Sequence, residues 1–251
     1  METPVLLDPS IEVLYEGEDY VAVDKPPSMP VHEGGSYKFN TLMGILEGEM
    51  GFKGLKCVNR LDKQTSGVVF LARNEKTAND FREGLLSDAV EKEYFARVAG
   101  NFGEEEKTVR KWIYMKEYKT MLHDCEEEAN LTADMKKTAK DAETRFKLEK
   151  YCPESDTSIV KCFPKTGRTH QIRVHLMSLG FPIANDMVYG GKVLNDGSGR
   201  EKEWEQIFQD CYQGEDAKES ARQPFLMLWL HAYRYKFKDI EVLSKVPKWA
   251  C

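Results

Sequence analysis

The chain lacks any apolar run near the roughly 18 residues that a membrane-spanning helix requires, and its start lacks basic residues. Met1-Glu2-Thr3-Pro4-Val5-Leu6-Leu7-Asp8 carries acids where a secretory leader or an Arg-rich transit peptide carries bases, so a cytosolic or nuclear setting is expected. Paired cysteines are missing too. Cys57, Cys125, Cys152, Cys162, Cys211 and Cys251 are scattered with no C-x-x-C spacing, which predicts reduced thiols rather than disulfides. None of the five histidines joins them at ligand spacing, so no metal site is expected. A Walker-type phosphate loop is also absent, because Gly167 is not followed by Gly-Lys-Ser/Thr at the required distance.

What is present is a chain of 251 residues, 41% hydrophobic and 31% charged, with 12 Phe, 11 Tyr and 4 Trp. That composition belongs to a soluble globular protein and not a disordered one. The length suffices for one large domain or two small ones. No internal repeat or long linker divides it, so a single domain over 1–251 is expected, and a monomer by default. The net charge of −6 argues at first against a nucleic-acid partner. Its distribution argues the other way. Residues 1–52 hold 2 basic against 10 acidic side chains, whereas residues 161–192 hold Lys161, Lys165, Arg168, Arg173 and Lys192 against Asp186 alone. A basic cleft in an acidic body can bind RNA, with weaker long-range steering than a basic protein has.

Val13-Leu14-Tyr15 and Tyr20 to Asp24 flank Glu16-Gly17-Glu18-Asp19, which predicts a β-hairpin ending at Lys25-Pro26-Pro27. Asn40 is placed to cap a helix over Thr41 to Met50. Val68 to Ala72 reads as a buried strand, Glu75 to Leu86 as an amphipathic helix, and Glu91 to Val98 as an alternating strand. Residues 101–145 are dense in mixed charge and read as loops and edge strands. Phe146 to Lys150 and Thr157 to Phe163 form a strand pair around Pro153-Glu154-Ser155-Asp156. Thr169 to Ser178 has helical spacing closed by Gly180, residues 193–222 read as an acidic insertion, and Phe225 to Phe237 returns as strand. Strands and helices interleave without βαβ alternation, which predicts an α+β fold on a mixed, mostly antiparallel sheet.

Two clusters carry chemistry. In Asn59-Arg60-Leu61-Asp62-Lys63-Gln64-Thr65-Ser66-Gly67, one carboxylate sits between two cations on a tight turn that feeds a strand. A lone aspartate there is more often a turn cap than a reactive group. The second cluster, Lys165-Thr166-Gly167-Arg168-Thr169-His170-Gln171-Ile172-Arg173-Val174-His175-Leu176, places two arginines and two histidines at a strand-to-helix junction. On a helix Thr169 shares a face with Arg173, and Gln171 with His175. Helix N-terminal amides with Arg168 and Arg173 would make an anion site. His175 alone is more often a satisfied core residue.

Arg60-Leu61-Asp62-x-x-Thr65-Ser66-Gly67 and Gly167-Arg168-Thr169-His170-Gln171-Ile172-Arg173-Val174-His175 resemble the two signature motifs of the RluA-type pseudouridine synthases. Asp24-Lys25-Pro26-Pro27 with Pro30-Val31-His32, Lys92-x-Tyr94-x-Ala96-x-Val98-x-Gly100, Pro182-Ile183-x-x-Asp186-x-x-Tyr189-Gly190 and Leu230-His231-Ala232 match in the same order, from about Val13 to Phe237. Asn59, where many bacterial relatives have His, is similar to the eukaryotic branch, and too few residues precede Val13 to form an S4 domain.

The resemblance implies the pseudouridine synthase fold, a tRNA or rRNA substrate and no cofactor, since isomerising uridine involves neither redox nor a group from outside. It implies Asp62 as the catalytic aspartate, attacking the sugar or base or removing a ribose proton to give a glycal; both routes stay open here. It implies Arg173 as the counter-charge of Asp62 and Tyr94 as the residue that stacks on uracil and serves in proton transfer at C5. Arg60 would fill the space left by a flipped uridine. Lys165, Arg168, His170, Ile172 and Leu230 complete the expected substrate contacts. The competing expectations are an RNA-binding protein on the same scaffold without catalysis, and a hydrolase using Asp62, although no partner base or oxyanion motif accompanies it.

Overall fold

Alternating apolar residues build one continuous sheet through the computed structural model, which describes residues 11–34, 37, 39–192 and 228–251. β1 (Glu12–Glu16) and β2 (Tyr20–Lys25) form the expected antiparallel hairpin. β3 (Lys56–Cys57) is a short strand beside β4 (Ser66–Ala72), whose residues from Gly67 onward are all buried. β5 (Val90–Ala99), β6 (Lys107–Glu117), β7 (Leu122–Glu126), β8 (Lys140–Cys152) and β9 (Thr157–Pro164) follow. β10 (Leu230–Phe237) and β11 (Ile240–Leu243) complete the 11 strands of the described residues. The order is β1-β2-β4-β10-β5-β9-β8-β6-β7, with β3 on β4 and β11 on β10. Among the described residues only the β4–β10 pair is parallel, so the sheet is mixed and mostly antiparallel, as expected of an α+β fold.

Helices pack where their apolar spacing demands a cover. α1 (Leu42–Gly48) buries Leu42, Ile45 and Leu46. Its cap is Thr41 and not Asn40, because the Thr41 Oγ1 accepts the Gly44 amide at 3.0 Å. α2 (Glu75–Leu86) keeps the bounds read from its spacing, starting where the Asn74 side chain accepts the Thr77 amide at 3.0 Å. Phe81 on α2 stacks on Phe70 of β4 and meets Phe237 of β10 edge-on, tying helix to sheet centre.

Residues 101–145 depart most from expectation. Instead of loops they contain β6, β7, a short helix α3 (Ala133–Lys136) and the start of β8, and only β7 is an edge strand. Val109 and Ile113 are buried on β6, but Lys111 between them breaks the alternation that marks a strand. The helix expected from Thr169 starts at Gln171 as α4 (Gln171–Ser178), which leaves Thr169 off the face it was to share with Arg173. The acidic insertion at 193–222, Cys211 and the segment 225–227 lie outside the described residues; the five described cysteines are free thiols. Among the described residues no helix is long and apolar enough to cross a membrane.

Gly67 lets β10 approach β4. It sits opposite Ala232 with φ 111°, and a Cβ there would fall 2.2 Å from the Ala232 carbonyl oxygen. Backbone atoms cannot yield as a flexible side chain can, and the backbone angle disfavours any side chain. Gly67→Ala is therefore expected to cost at least about 2–3 kcal/mol in urea unfolding; a loss below about 1 kcal/mol would contradict this close approach.

Candidate active site

The loop that carries Asp62 is fixed from two sides before any substrate arrives. The Thr65 amide donates to the Asp62 carbonyl at 3.1 Å, closing the turn. On one side Asn59 reaches into β4 and accepts the Phe70 amide at 2.7 Å. On the other, wholly buried Lys25 at the end of β2 donates to the carbonyls of Pro26 and Met29, each at 2.8 Å, and to that of Lys63 at 3.2 Å. Burial pushes the Lys25 ammonium down to about 7, against the pull of Asp62 and Asp24. Its three N–H donors still find one carbonyl each, an arrangement that only the protonated form fills.

α4 approaches from across the cleft and brings Arg173. Its Nη1 donates to Asp62 Oδ2 at 3.0 Å, while Nε and Nη2 grip Asp186 Oδ2 and Oδ1 at 2.7 and 2.9 Å. The guanidinium also lies over the Tyr189 ring, 4.8 Å from its centre. A fork held at both ends cannot swing, so Arg173 presents a fixed charge to Asp62. Among the described residues no hydrogen bond reaches Asp62 Oδ1, and the Asp62 side chain keeps 27% of its surface exposed. One oxygen is held by Arg173, and the other accepts no hydrogen bond from a described residue.

Tyr94 on β5 is nearly buried, and its hydroxyl shares a 2.5 Å hydrogen bond with Tyr235 of β10. Burial and the neighbouring Tyr235 push the phenol well above its usual range, and Asp62 is close enough to add to the effect. His170 stands on the other flank, in the left-handed region at φ 56°, with Nε2 3.8 Å from Asp62 Oδ2. Burial pushes its imidazole down to about 4, so it is neutral near pH 7.

The structure brings Arg173, the counter-charge expected from the resemblance, and His170 to the Asp62 carboxylate, and sets Tyr94 near enough to feel its charge. Ile172 and Leu230 are buried in the main core. Arg60 is exposed, free to reach outward. Lys165 pairs with Asp88 at 3.4 Å, so the structure does not bring it into the Asp62 cluster. The expected anion site is not built either. The Arg168 amide is taken by Gln171 Oε1 and its side chain donates to the Asp141 carbonyl, while Arg173 is occupied by two carboxylates. His175 is a core residue, as its lone reading has it, bonded through Nδ1 to Thr144.

Five partners carry no assigned role in the sequence reading: Lys25, His123, Asp186, Tyr189 and Tyr235. A signal existed for two of them. Lys25 ends an apolar strand where a charge is costly, and Asp186 is the single acid in a basic segment.

A family model for RNA pseudouridylate synthase matches residues 19–178, which span Asp62, Tyr94 and Arg173. The chain belongs to the RluA-type RNA pseudouridylate synthases. The yeast (Saccharomyces cerevisiae) protein named tRNA pseudouridine(32) synthase, mitochondrial, is 36% identical over 99% of this chain and 58% of its own length. The yeast tRNA pseudouridine(31) synthase is 35% identical over 70% of this chain and 46% of its own length. This pseudouridine synthase chain therefore spans about half the length of the curated relatives it matches. The solved structure of Human RNA Pseudouridylate Synthase Domain Containing 1 has a TM-score of 0.67 at 24% identity, over 95% of this chain and 84% of that one. The pseudouridine synthase fold is thereby shown for this chain.

Proposed function

We propose that this chain isomerises uridine to pseudouridine in RNA, with a tRNA as substrate. The observation that carries the reading is the partly exposed Asp62 carboxylate, anchored through Oδ2 by Arg173, on a loop clamped by Lys25 and Asn59. The reaction breaks the N1–C1′ bond, turns the uracil and forms a C5–C1′ bond, with the C5 proton lost and N1 protonated. It needs a reactive carboxylate, a counter-charge and a wall that retains the free base.

In this reading Asp62 Oδ1 meets the nucleotide, and Arg173 balances the carboxylate charge through the steps that follow. Tyr94 offers its ring face to the uracil, and its hydroxyl, already linked to Tyr235, is the group placed for the proton transfer at C5. Exposed Arg60 stacks in the gap that the flipped nucleotide leaves. Arg168 and Lys165, both exposed, are contacts for RNA phosphates outside the reacting centre. The chain acts as one catalytic domain over 1–251, a reading supported by the single sheet that joins both motif regions among the described residues.

The tRNA substrate is supported by the two yeast relatives named for tRNA uridines, which make positions 31 and 32 the first candidates. The relative that matches nearly the whole chain is named mitochondrial, which sets a mitochondrial location beside the cytosolic or nuclear one. Mapping pseudouridines in cells lacking this protein tests the substrate: loss confined to tRNA sites supports it, and loss confined to rRNA contradicts it. Tyr94→Phe keeps the ring and removes the hydroxyl. It is expected to bind RNA as the native chain does and to turn over roughly 100-fold more slowly, the scale of one general acid–base group. Unchanged turnover in a single-turnover assay would remove Tyr94 from the proton transfer.

A further inference from the structure

One cluster beside Asp62 is not used by this mechanism. It comprises Tyr189, His170 and the first residues of β7, which belong to the charged segment 101–145. The Tyr189 hydroxyl lies 2.8 Å from His170 Nδ1 and 3.2 Å from the His123 backbone nitrogen, and Tyr189 is buried. The His123 N–H can only donate, so the Tyr189 oxygen accepts it. The phenol proton then has one partner in reach, the His170 Nδ1 lone pair. The reverse assignment, with Nδ1–H donating to the same oxygen, would leave a buried O–H without an acceptor, at a cost.

We infer that Tyr189 fixes His170 as its neutral Nε2–H tautomer and so makes His170 a hydrogen-bond donor to Asp62, with the β6–β7 hairpin a working part of the active site. Nε2 faces Asp62 Oδ2, the oxygen that Arg173 already holds, at 3.8 Å. That distance is one small shift from a hydrogen bond, and such contacts commonly tighten when substrate arrives. Two donors gathered on Oδ2 orient the carboxylate so that Oδ1 alone is presented to the nucleotide. The backbone supports a specific placement. His170 is held at φ 56°, a costly conformation for a residue with a Cβ, and the imidazole edge is braced by the His123 ring at 5.3 Å. The His123 Nδ1 is itself bonded to the Met121 carbonyl, which ties the cluster to the hairpin turn.

This inference rests on Asp62 being the reactive group, but its first test does not need turnover. Long-range ¹H–¹⁵N correlation spectra of the full chain with ¹⁵N-labelled histidine report each tautomer directly. At pH 7.5 His170 is expected as Nε2–H, and in Tyr189→Phe as Nδ1–H or a mixture. A native His170 found as Nδ1–H or doubly protonated overturns the inference, as does an unchanged Nε2–H tautomer in Tyr189→Phe. Kinetics then test the consequence. His170→Leu is expected to lower kcat about 10- to 100-fold, the size of one hydrogen bond to a charged group, with KM changed little. His170→Gln, whose amide N–H falls near the Nε2 position, should recover most of that loss, although it bears the same backbone strain. Adding Tyr189→Phe to His170→Gln should cost no more, because an amide has no tautomer to fix. A His170→Gln protein as slow as His170→Leu would show that the donor is not what matters.

Discussion

Asp62→Asn is expected to abolish pseudouridine formation, lowering kcat by at least about four orders of magnitude, the scale seen when a covalent or proton-abstracting group is removed. The asparagine keeps the shape of the side chain and still offers Arg173 an oxygen in place of Oδ2, so the loop and α4 stay joined. What it loses is the negative charge at the oxygen that Arg173 does not hold. Affinity for RNA is expected to hold within a few-fold, because Asp62 contributes no favourable contact to a phosphate backbone. The melting temperature should fall little, since Asp62 is partly exposed, the amide keeps its hydrogen-bonding outline, and Arg173 stays paired with Asp186. Gel-shift titration and single-turnover pseudouridine assays on one preparation separate these effects. Retained turnover would return Asp62 to the turn-capping role that a lone loop aspartate usually has.

Asp186→Ala is expected to be the most destabilising single change at the site. Asp186 and Arg173 are almost fully buried, and the guanidinium makes two of its three carboxylate contacts with Asp186. Removing Asp186 leaves the buried guanidinium with Asp62 as its one carboxylate partner among the described residues, and breaking such a buried pair costs about 3–5 kcal/mol. For a chain of this size that is roughly 6–20 °C in melting temperature. Turnover should fall as well, because Arg173 is then free to fold onto Asp62 with both ends of its fork and to cover Oδ1. The double variant Arg173→Met/Asp186→Ala separates the two losses. It should regain much of the stability, since both buried charges are gone and Asp62, left without Arg173, is partly exposed to solvent, and regain none of the activity. A double variant no more stable than Asp186→Ala would mean that the site depends on packing rather than on charge pairing.

Local signals made much of this architecture legible in the sequence. Asn74 and the Ala78–Phe81 face define α2 to the residue, and the unbroken apolar run after Gly67 defines β4, because each is set by neighbours in the chain. β6 was hidden because Lys111 occupies an inward-alternating position among charged neighbours, so its strand character comes from pairing with β8 and β7 rather than from its own pattern. The site divides in the same way. Asp62 stands out on its turn, and the basic cluster stands out around Arg173. Their contact spans 111 positions, and the sequence carries it only through resemblance to a family. Asp186 appears in the sequence as the one acid that lowers the charge of a basic segment. In the structure it is the residue that makes the arginine immobile. Lys165 went the opposite way, since its place in the cluster depended on a direction of side chain that only the fold decides. The hairpin carrying His123 joins the site because sheet order brings β7 alongside α4, and no spacing in the chain announces that meeting.

The most direct test of the central claim is to incubate the native chain with total tRNA and rRNA and read new pseudouridines as alkali-resistant carbodiimide (CMC) adducts. Adducts are expected at discrete tRNA uridines with the native chain and none with Asp62→Asn. RNA binding by the native chain with no new adduct at any uridine would contradict it, and would favour an RNA-binding protein built on the same scaffold.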